Sequence, residues 1–365
     1  MQFDFFPSRQ VSLYMIRLFI TRTLAVLALL VIVLQALDLL SESGRILAQP
    51  GNGQAALLHY VGLRAPQIID RFLPFSVLLG TLITLATLNA NSEIISMKAA
   101  GLSAHQILAP LVAASLVVAS AAFLFNDRVV VDGNRALNAW EDADFGPVRP
   151  EGDMRGNMWV RQGSLIVGAR QVTGRGPETR LEGVTLYVRR GGGIQQLVEL
   201  DAARPDGNGW RAEGPARRFD VGTAAVTQVA NLRFGSGIAP DRFVRTGVDP
   251  DTLSFAALSA AIEGEEASGR PTEELRANLW HKLSGPLSAV LMPLLAAVAA
   301  FGLARSGQLF VRAVIGMALG FAYFVVDNLA LALGNLGAYP PLAAAWSPFF
   351  LFLLIGETVL IRTEE

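Results

Sequence analysis

Residues 107–125 read ILAPLVAASLVVASAAFLF, an unbroken apolar run without one charged side chain. As a helix it would rise roughly 28 Å, close to the ~30 Å hydrocarbon thickness of a bilayer. The chain then changes texture. Asp127 and Arg128 end the run, and beyond them the apolar residues come in short alternating groups divided by Gly, Asp and Asn. A membrane helix that hands over to a β-rich segment in mid-chain is the pattern from which the rest is read.

Five more stretches are long and apolar enough to cross a membrane, near residues 24–40, 72–90, 283–303, 313–333 and 342–361. Arg9, Arg17 and Arg22 precede the first, as in a signal peptide. Its apolar run is too long for one and no cleavage site follows, so it is expected to stay as an anchor. Composition agrees: 52% of the 365 residues are hydrophobic and 17% charged, against about 25% charged in soluble domains. Mean hydropathy is +0.41. The fold class expected is a polytopic α-helical membrane protein of six transmembrane helices, with an all-β, jellyroll-like domain inserted between the third and fourth. The domains would be 1–126, 127–276 and 277–365.

In the insert, strands are expected around 158–161, 165–167, 184–188, 197–200, 210–212 and 226–234. Turns fall at Gly163-Ser164, Gly191-Gly192-Gly193, Pro205-Asp206-Gly207-Asn208-Gly209 and Gly235-Ser236-Gly237. A helical return opens at 249–252, with Asp251 or Thr252 as N-cap, and a second capped start follows Gly269-Arg270-Pro271-Thr272. Orientation follows from arginine and lysine beside short loops. With both termini cytoplasmic, the inside segments hold Arg9, Arg17, Arg22, Lys98, Arg305, Arg312 and Arg362, and the short outside loops only Arg45, Arg64 and Arg71. The insert would then be periplasmic.

Several chemistries are excluded. Net charge is -1 and no basic surface points to nucleic acid. Cysteine is absent, which removes disulfides, thiolate metal sites and acylated cysteine. The two lysines, Lys98 and Lys282, both lie outside any Gly-Lys-Ser/Thr, so the chain has no P-loop of its own. His59, His105 and His281 are scattered without a His-Glu-x-x-His spacing and read as interfacial or packing histidines, and no Gly-x-Ser-x-Gly elbow occurs. A catalytic site is not expected, nor a metal or a cofactor.

Two sets of residues invite a functional reading. Between the second and third spans, Ser92 can cap a short helix, Glu93 suits its N-terminal end and Gly101 terminates it, presenting Ile94, Ile95, Met97 and Lys98. Spacing alone leaves open a surface connector or a helix that docks on a cytoplasmic partner. Polar side chains also enter the spans: Gln35 and Asp38 in the first, Asp327 and Asn328 in the fifth, Glu357 in the sixth. Asp327 lies deepest, as a packing hydrogen bond, a proton-coupling group or a gate residue. Arg128 and Arg135 follow the third span, where an arginine meets a phosphate or anchors at the interface. Pro286 and Pro293 imply bends in the fourth span, and Gly316-x-x-x-Gly320 offers a small-residue face in the fifth.

NSEIISMKAAGL at 91–102, VDPDTLS at 248–254, LWHKLSGPLS at 279–288 and GFAYFVVDN at 320–328 together resemble the lipopolysaccharide export permeases LptF and LptG, and more closely the LptG branch. The resemblance covers essentially the whole chain. It implies an ABC-transporter half, without enzymatic activity of its own, in the bacterial inner membrane. ATP and Mg²⁺ would be bound by a separate cytoplasmic ABC ATPase dimer of LptB type. A sister permease of LptF type would be its mate, and a periplasmic bridge of LptC and LptA type would receive lipopolysaccharide drawn from the outer leaflet. On this chain it implies Glu93 as the contact to the ATPase. Asp38 and the stretch from Gly316 through Gly320 and Phe324 to Asp327 would line cavity and gate, with Arg135 at a basic position near substrate phosphates. Gln35 and Arg128 are grouped with this cavity set as candidates. Gln35, Ser41 and Glu42 stand where some members carry lysines for phosphates, which fits a different or less phosphorylated lipid. A lipoprotein-releasing permease would instead place its outer domain after a first helix. A membrane sensor would need a cytoplasmic module that 93–103 and 304–312 do not offer.

Overall fold

The computed structural model describes residues 6–147, 155–174, 176–190, 193–223, 225–240, 243, 248–267, 270–301 and 309–364. The chain forms two compact units, one of residues 1–146 with 249–365 and one of residues 147–248.

The first unit is helical. Its long elements are α1 (Arg9–Ala48), α2 (Gln54–Ala90) and α4 (Ala104–Phe125), with the short α3 (Glu93–Ala99) between the last two. A single π-helical turn, Asn126–Val130, joins α4 to α5 (Val131–Asp142). After the insert come a 3₁₀ turn (Pro250–Thr252), α6 (Phe255–Ala267), α7 (Glu273–Phe301), α8 (Leu309–Asn335) and α9 (Pro341–Glu364). Among the described residues six helices are long and apolar enough to cross a membrane, the third comprising α4 through α5. The helices outrun the apolar windows because polar flanks such as residues 54–71 carry the same helical spacing without the hydropathy. Leu303, Arg305, Gly191, Gly192 and Gly269 lie outside the described residues, as does the side chain of Arg312.

Helix α7 is the hub, packing on α2, α4, α8 and α9. Its Leu291 and Leu295 join Phe19 of α1, Leu85 of α2, Leu111 of α4 and Phe352 of α9 in one core. Pro286 and Pro293 both lie inside α7, which runs continuously through them. Helices α1 and α8 instead leave most of their apolar surface open, as at Ile32 and Leu40 on α1 and at Phe321 and Leu329 on α8. In water such faces would be an association liability, whereas in lipid they need no cover. Close approach depends on glycine: a Cβ at Gly80 would meet the Thr23 backbone at 2.8 Å, and one at Gly316 the Leu82 side chain at 2.8 Å. The Gly316–Gly320 face is thus used within the chain, against α2.

The helical return is capped differently from the expectation. The side chain of Asp249, not of Asp251 or Thr252, accepts the Asp251 N–H at 2.9 Å, because Pro250 cannot donate and places Asp251 two residues on, as in an Asx turn. Ser254 then accepts the Ala257 N–H at 3.3 Å to start α6, and Thr272 precedes α7 with its carbonyl accepting from Arg276.

The second unit is an antiparallel sheet of β1 (Arg155–Gln162), β2 (Leu165–Thr173), β3 (Arg180–Arg190), β4 (Gly193–Asp206), β5 (Gly209–Glu213), β6 (Ala216–Asp220), β7 (Ala225–Val229) and β8 (Arg233–Phe234), in the order β1-β2-β3-β4-β5-β8. One edge of β4 is shared: Gln196–Glu199 pair with β6, and Ala202–Asp206 with β5. Strand β7 pairs with β6. Inward residues of alternate positions, among them Val167, Val184, Leu186, Val198 and Leu200, form the core. Trp210 closes it, donating to the Ile238 carbonyl at 2.9 Å and meeting Phe243 edge-on. The turns at Gly163 and Gly207 fall where expected, each glycine at positive φ. The single strand expected over 226–234 is two, broken where Asn231 takes φ 53°. Strand β6, ARRFD, lacks the apolar alternation that would have shown it.

Two tests follow from this packing. Gly80→Ala should destabilise the purified chain by about 1–3 kcal/mol through overpacking on Thr23. Gly44→Ala, in open space on α1, should be neutral or stabilising by thermal melting in detergent. Outside the spans, the Arg276 guanidinium, which donates from Nε at 2.8 Å, holds the Glu266 carboxyl below the usual glutamate range, helped by Thr272. A lowered carboxylate stabilises above its unfolded pKa, about 4.3, and that stabilisation is lost as pH falls through the folded value. The melting temperature of the wild type should therefore fall more on acidification below about pH 4.3 than that of Glu266→Gln.

Candidate functional site

The helical unit contains a cavity of about 940 Å³ between α1, α2, α4, α5, α7 and α8. It lies at the end of the bundle where α1 gives way to α2. Its apolar side is Leu34, Leu37, Phe72, Phe75 and Phe324, and its polar side is crowded with amides and carboxylates.

Each polar group is placed by a helix of the bundle. On α1, Asp38 accepts from the Tyr60 hydroxyl at 2.6 Å and from Arg64 of α2 at 3.1 Å, and Arg64 also donates to Gln67 at 2.5 Å. One turn further along α2, Asp70 accepts from Asn126 at 2.8 Å. Across the cavity, His281 of α7 meets Asp327 of α8 at 3.0 Å. Next to it, half-buried Lys282 makes no hydrogen bond or ion pair among the described residues, and lies in the field of Asp251, Asp127, Asp70 and Asp249. Tyr323 of α8 is 4% exposed, with its hydroxyl near Ser288 of α7 and otherwise without a hydrogen-bond partner among the described residues. Two prolines on the lining add acceptors. Pro74 and Pro286 lack the N–H that would serve the carbonyls four residues earlier, those of Asp70 and Lys282.

Asp38, Gly320, Phe324 and Asp327 therefore line one cavity. Gly316 lies beneath Leu82 instead. Gln35 is 8% exposed with both amide atoms unpartnered among the described residues, and is not on the lining. Arg128 is exposed in the π-helical turn. Arg135 donates to the Thr252 carbonyl at 2.9 Å and tethers the 3₁₀ turn to α5, also off the lining. In the sequence, Arg64 and Arg71 served only for orientation and Lys282 only to exclude a P-loop, and neither these nor Asp70 were singled out as site residues. Their signal was there in the charges at 64, 70 and 71, just before the second apolar run, and in Lys282 inside the fourth. Of the histidines read as interfacial or packing residues, His59 does pack edge-on against Trp140, whereas His281 is a cavity group and His105 lies 3.2 Å from Glu357.

At the opposite end, α3 begins as expected but for another reason. Ser92 takes φ 60° and its side chain accepts no cap bond, because the left-handed backbone turns it from the N-terminal amides. Glu93 is instead held by Asn91 at 3.1 Å and by Tyr14 of α1 at 3.2 Å. Gly101, at φ 89°, ends the helix in a Schellman motif: its N–H donates to Lys98 and that of Leu102 to Met97. Ile94 is buried in the core, Met97 packs against it, and Ile95 and Lys98 face outward.

Arg64→Met should destabilise the chain by about 1.5–3 kcal/mol, since Asp38 loses a charge-assisted bond. Adding Asp38→Asn should recover part of that loss. Thermal melting of the single and double variants measures the coupling, and additive losses would refute it.

The family model described as "Lipopolysaccharide export system permease LptF/LptG" matches residues 13–362. The lipopolysaccharide export system permease protein LptG of Escherichia coli K12 is 26% identical over 309 residues, covering 83% of this chain and 84% of that protein. The protein of that name from Haemophilus influenzae is 24% identical over 322 residues, covering 84% and 86%. With six apolar helices, a β-sheet inserted between the third and fourth, and a match that spans both, the chain belongs to the LptF/LptG family of lipopolysaccharide export system permeases.

Proposed function

We propose that this chain is the permease half of an ATP-driven exporter that draws lipopolysaccharide from the outer leaflet of the inner membrane and passes it to a periplasmic bridge. The observation that carries this, given the family, is the amphipathic cavity at the α1–α2 end of the bundle, with an apolar side for acyl chains and a polar side for a headgroup. Burying an acyl chain in lipid is worth about 0.8 kcal/mol per CH₂, so a chain of a dozen carbons is held by about 10 kcal/mol. Extraction must offset this with replacement apolar contact and an external energy source. The open faces of α1 and α8 suit a lateral entrance and a sister permease of LptF type.

Both termini are cytoplasmic in this reading and the sheet is periplasmic. There β7, paired on one side only with β6 among the described residues and with Val226 exposed, offers an edge to which a strand of an LptC- or LptA-like bridge can add. The cytoplasmic end carries α3 as the coupling helix, with Glu93, Ile95 and Lys98 towards an LptB-like ATPase dimer that binds the ATP and Mg²⁺.

Purification of the tagged chain from native membranes in mild detergent should recover a P-loop ATPase and a second six-helix permease. Recovery of the chain alone, or with a kinase or receptor, would sink the reading. Glu93→Arg should abolish ATPase co-purification and lipopolysaccharide export together, and normal export in that variant would remove the coupling role of α3.

A further inference from the structure

We infer that the cavity selects a saccharide headgroup rich in hydroxyl or amine donors and poor in phosphate. The inference rests on the transport reading above and names the substrate class for its site.

The charge of the lining is the first observation. Asp38 is paired with Arg64 at 3.1 Å, and Asp327 shares a hydrogen bond with His281 at 3.0 Å. What remains among the described lining residues is Asp70, Asp249 and Asp251 against Lys282 and Arg71. Lys282 already lies in the combined field of those three carboxylates and Asp127. A phosphate brought to this wall meets more negative charge than positive, in a partly desolvated space where repulsion is weakly screened.

The hydrogen-bonding capacity of the lining is the second. A carboxylate only accepts, and the carbonyls freed by Pro74 and Pro286 only accept. Among the described residues the Asp251 carboxylate has no hydrogen bond, while its backbone carbonyl takes Asn134. Asn126 and Asn138 direct amide donors at Asp70 and Asp249, at 2.8 and 3.1 Å. The Tyr323 hydroxyl, more than nine-tenths buried on the lining beside Ser288, is a further polar group there. An unmatched acceptor in a secluded wall is satisfied by a ligand donor, and sugar hydroxyls or an amino sugar provide several per residue. A phosphate provides acceptors alone.

The test uses the intact complex, purified with its ATPase and sister permease and reconstituted in nanodiscs. Binding is measured for one lipid A-type glycolipid in its bisphosphorylated form and after removal of both phosphates. The dephosphorylated glycolipid should bind several-fold more tightly. Asp251→Asn should narrow that ratio, and Lys282→Met should widen it, so the two variants move it in opposite directions. Tighter binding of the bisphosphorylated form, or a ratio that neither variant moves, overturns the inference and leaves transport intact. Failure to bind either glycolipid overturns the transport reading itself, and the inference with it.

Discussion

A bilayer offers the backbone no hydrogen-bond partner, so each segment that crosses it must satisfy its N–H and C=O groups internally. That constraint settles most of this chain. It makes α1, α2, α4, α7, α8 and α9 continuous helices, and it carries the helical path through prolines at 66, 74, 110, 286, 293 and 348. Two of these six prolines, Pro74 and Pro286, stand at the polar cavity, and the carbonyls they free belong to Asp70 and Lys282. Loosening of the helical bond pattern and concentration of charge coincide there, and a water-accessible space is what makes both tolerable.

The same constraint explains the division of labour among helices. Packing between helices in lipid gains nothing from the hydrophobic effect and depends on close fit. Helix α7 achieves that fit with Ala289, Ala296, Ala297 and Ala299 fully buried against four neighbours. Gly80 and Gly316 let α1 and α8 approach α2. Having met α2 through such small residues, α1 and α8 leave their large side chains, Leu29, Ile32, Phe321 and Leu329 among them, on the outside. A rigid hub with two loosely covered flanks is an arrangement in which the flanks can move or accept a neighbour while the centre holds.

The two ends of the bundle then serve different chemistry. One holds α3, a seven-residue helix closed by Gly101 and fastened through Ile94 below and Glu93 to Tyr14. The other holds the cavity, whose charges come from segments distant in the chain: Asp38 from the first helix, Asp70 from the second, Asp251 from the helical return and Lys282 from the hub. The return segment is tied to α5 by Asn134, Arg135 and Asn138, and to the π-helical turn by Asp127 through the Phe255 N–H at 2.6 Å. Arg135 thus works as a tether for the element that brings Asp249 and Asp251 to the cavity.

The sequence by itself determined the spans, the inserted β segment and the family, because hydropathy, strand alternation and contiguous motifs are local properties. It also marked Asp38 and Asp327, since a polar residue in an apolar run stands out against its neighbours, and Gly320 as half of a small-residue pair. Phe324 was implied by the family resemblance alone. Only the tertiary structure decided that Arg135 and Arg128 stay off the cavity and that Lys282, Asp70 and Tyr323 line it. Which face of a helix a residue occupies relative to four other helices is set by packing between segments hundreds of residues apart. The cap at Asp249 in place of Asp251, and the split of one expected strand at Asn231, followed from backbone dihedrals that local residue preference alone does not fix. The charge balance of the cavity belongs to no segment of the chain, and exists only once the helices have brought those side chains within reach of one another.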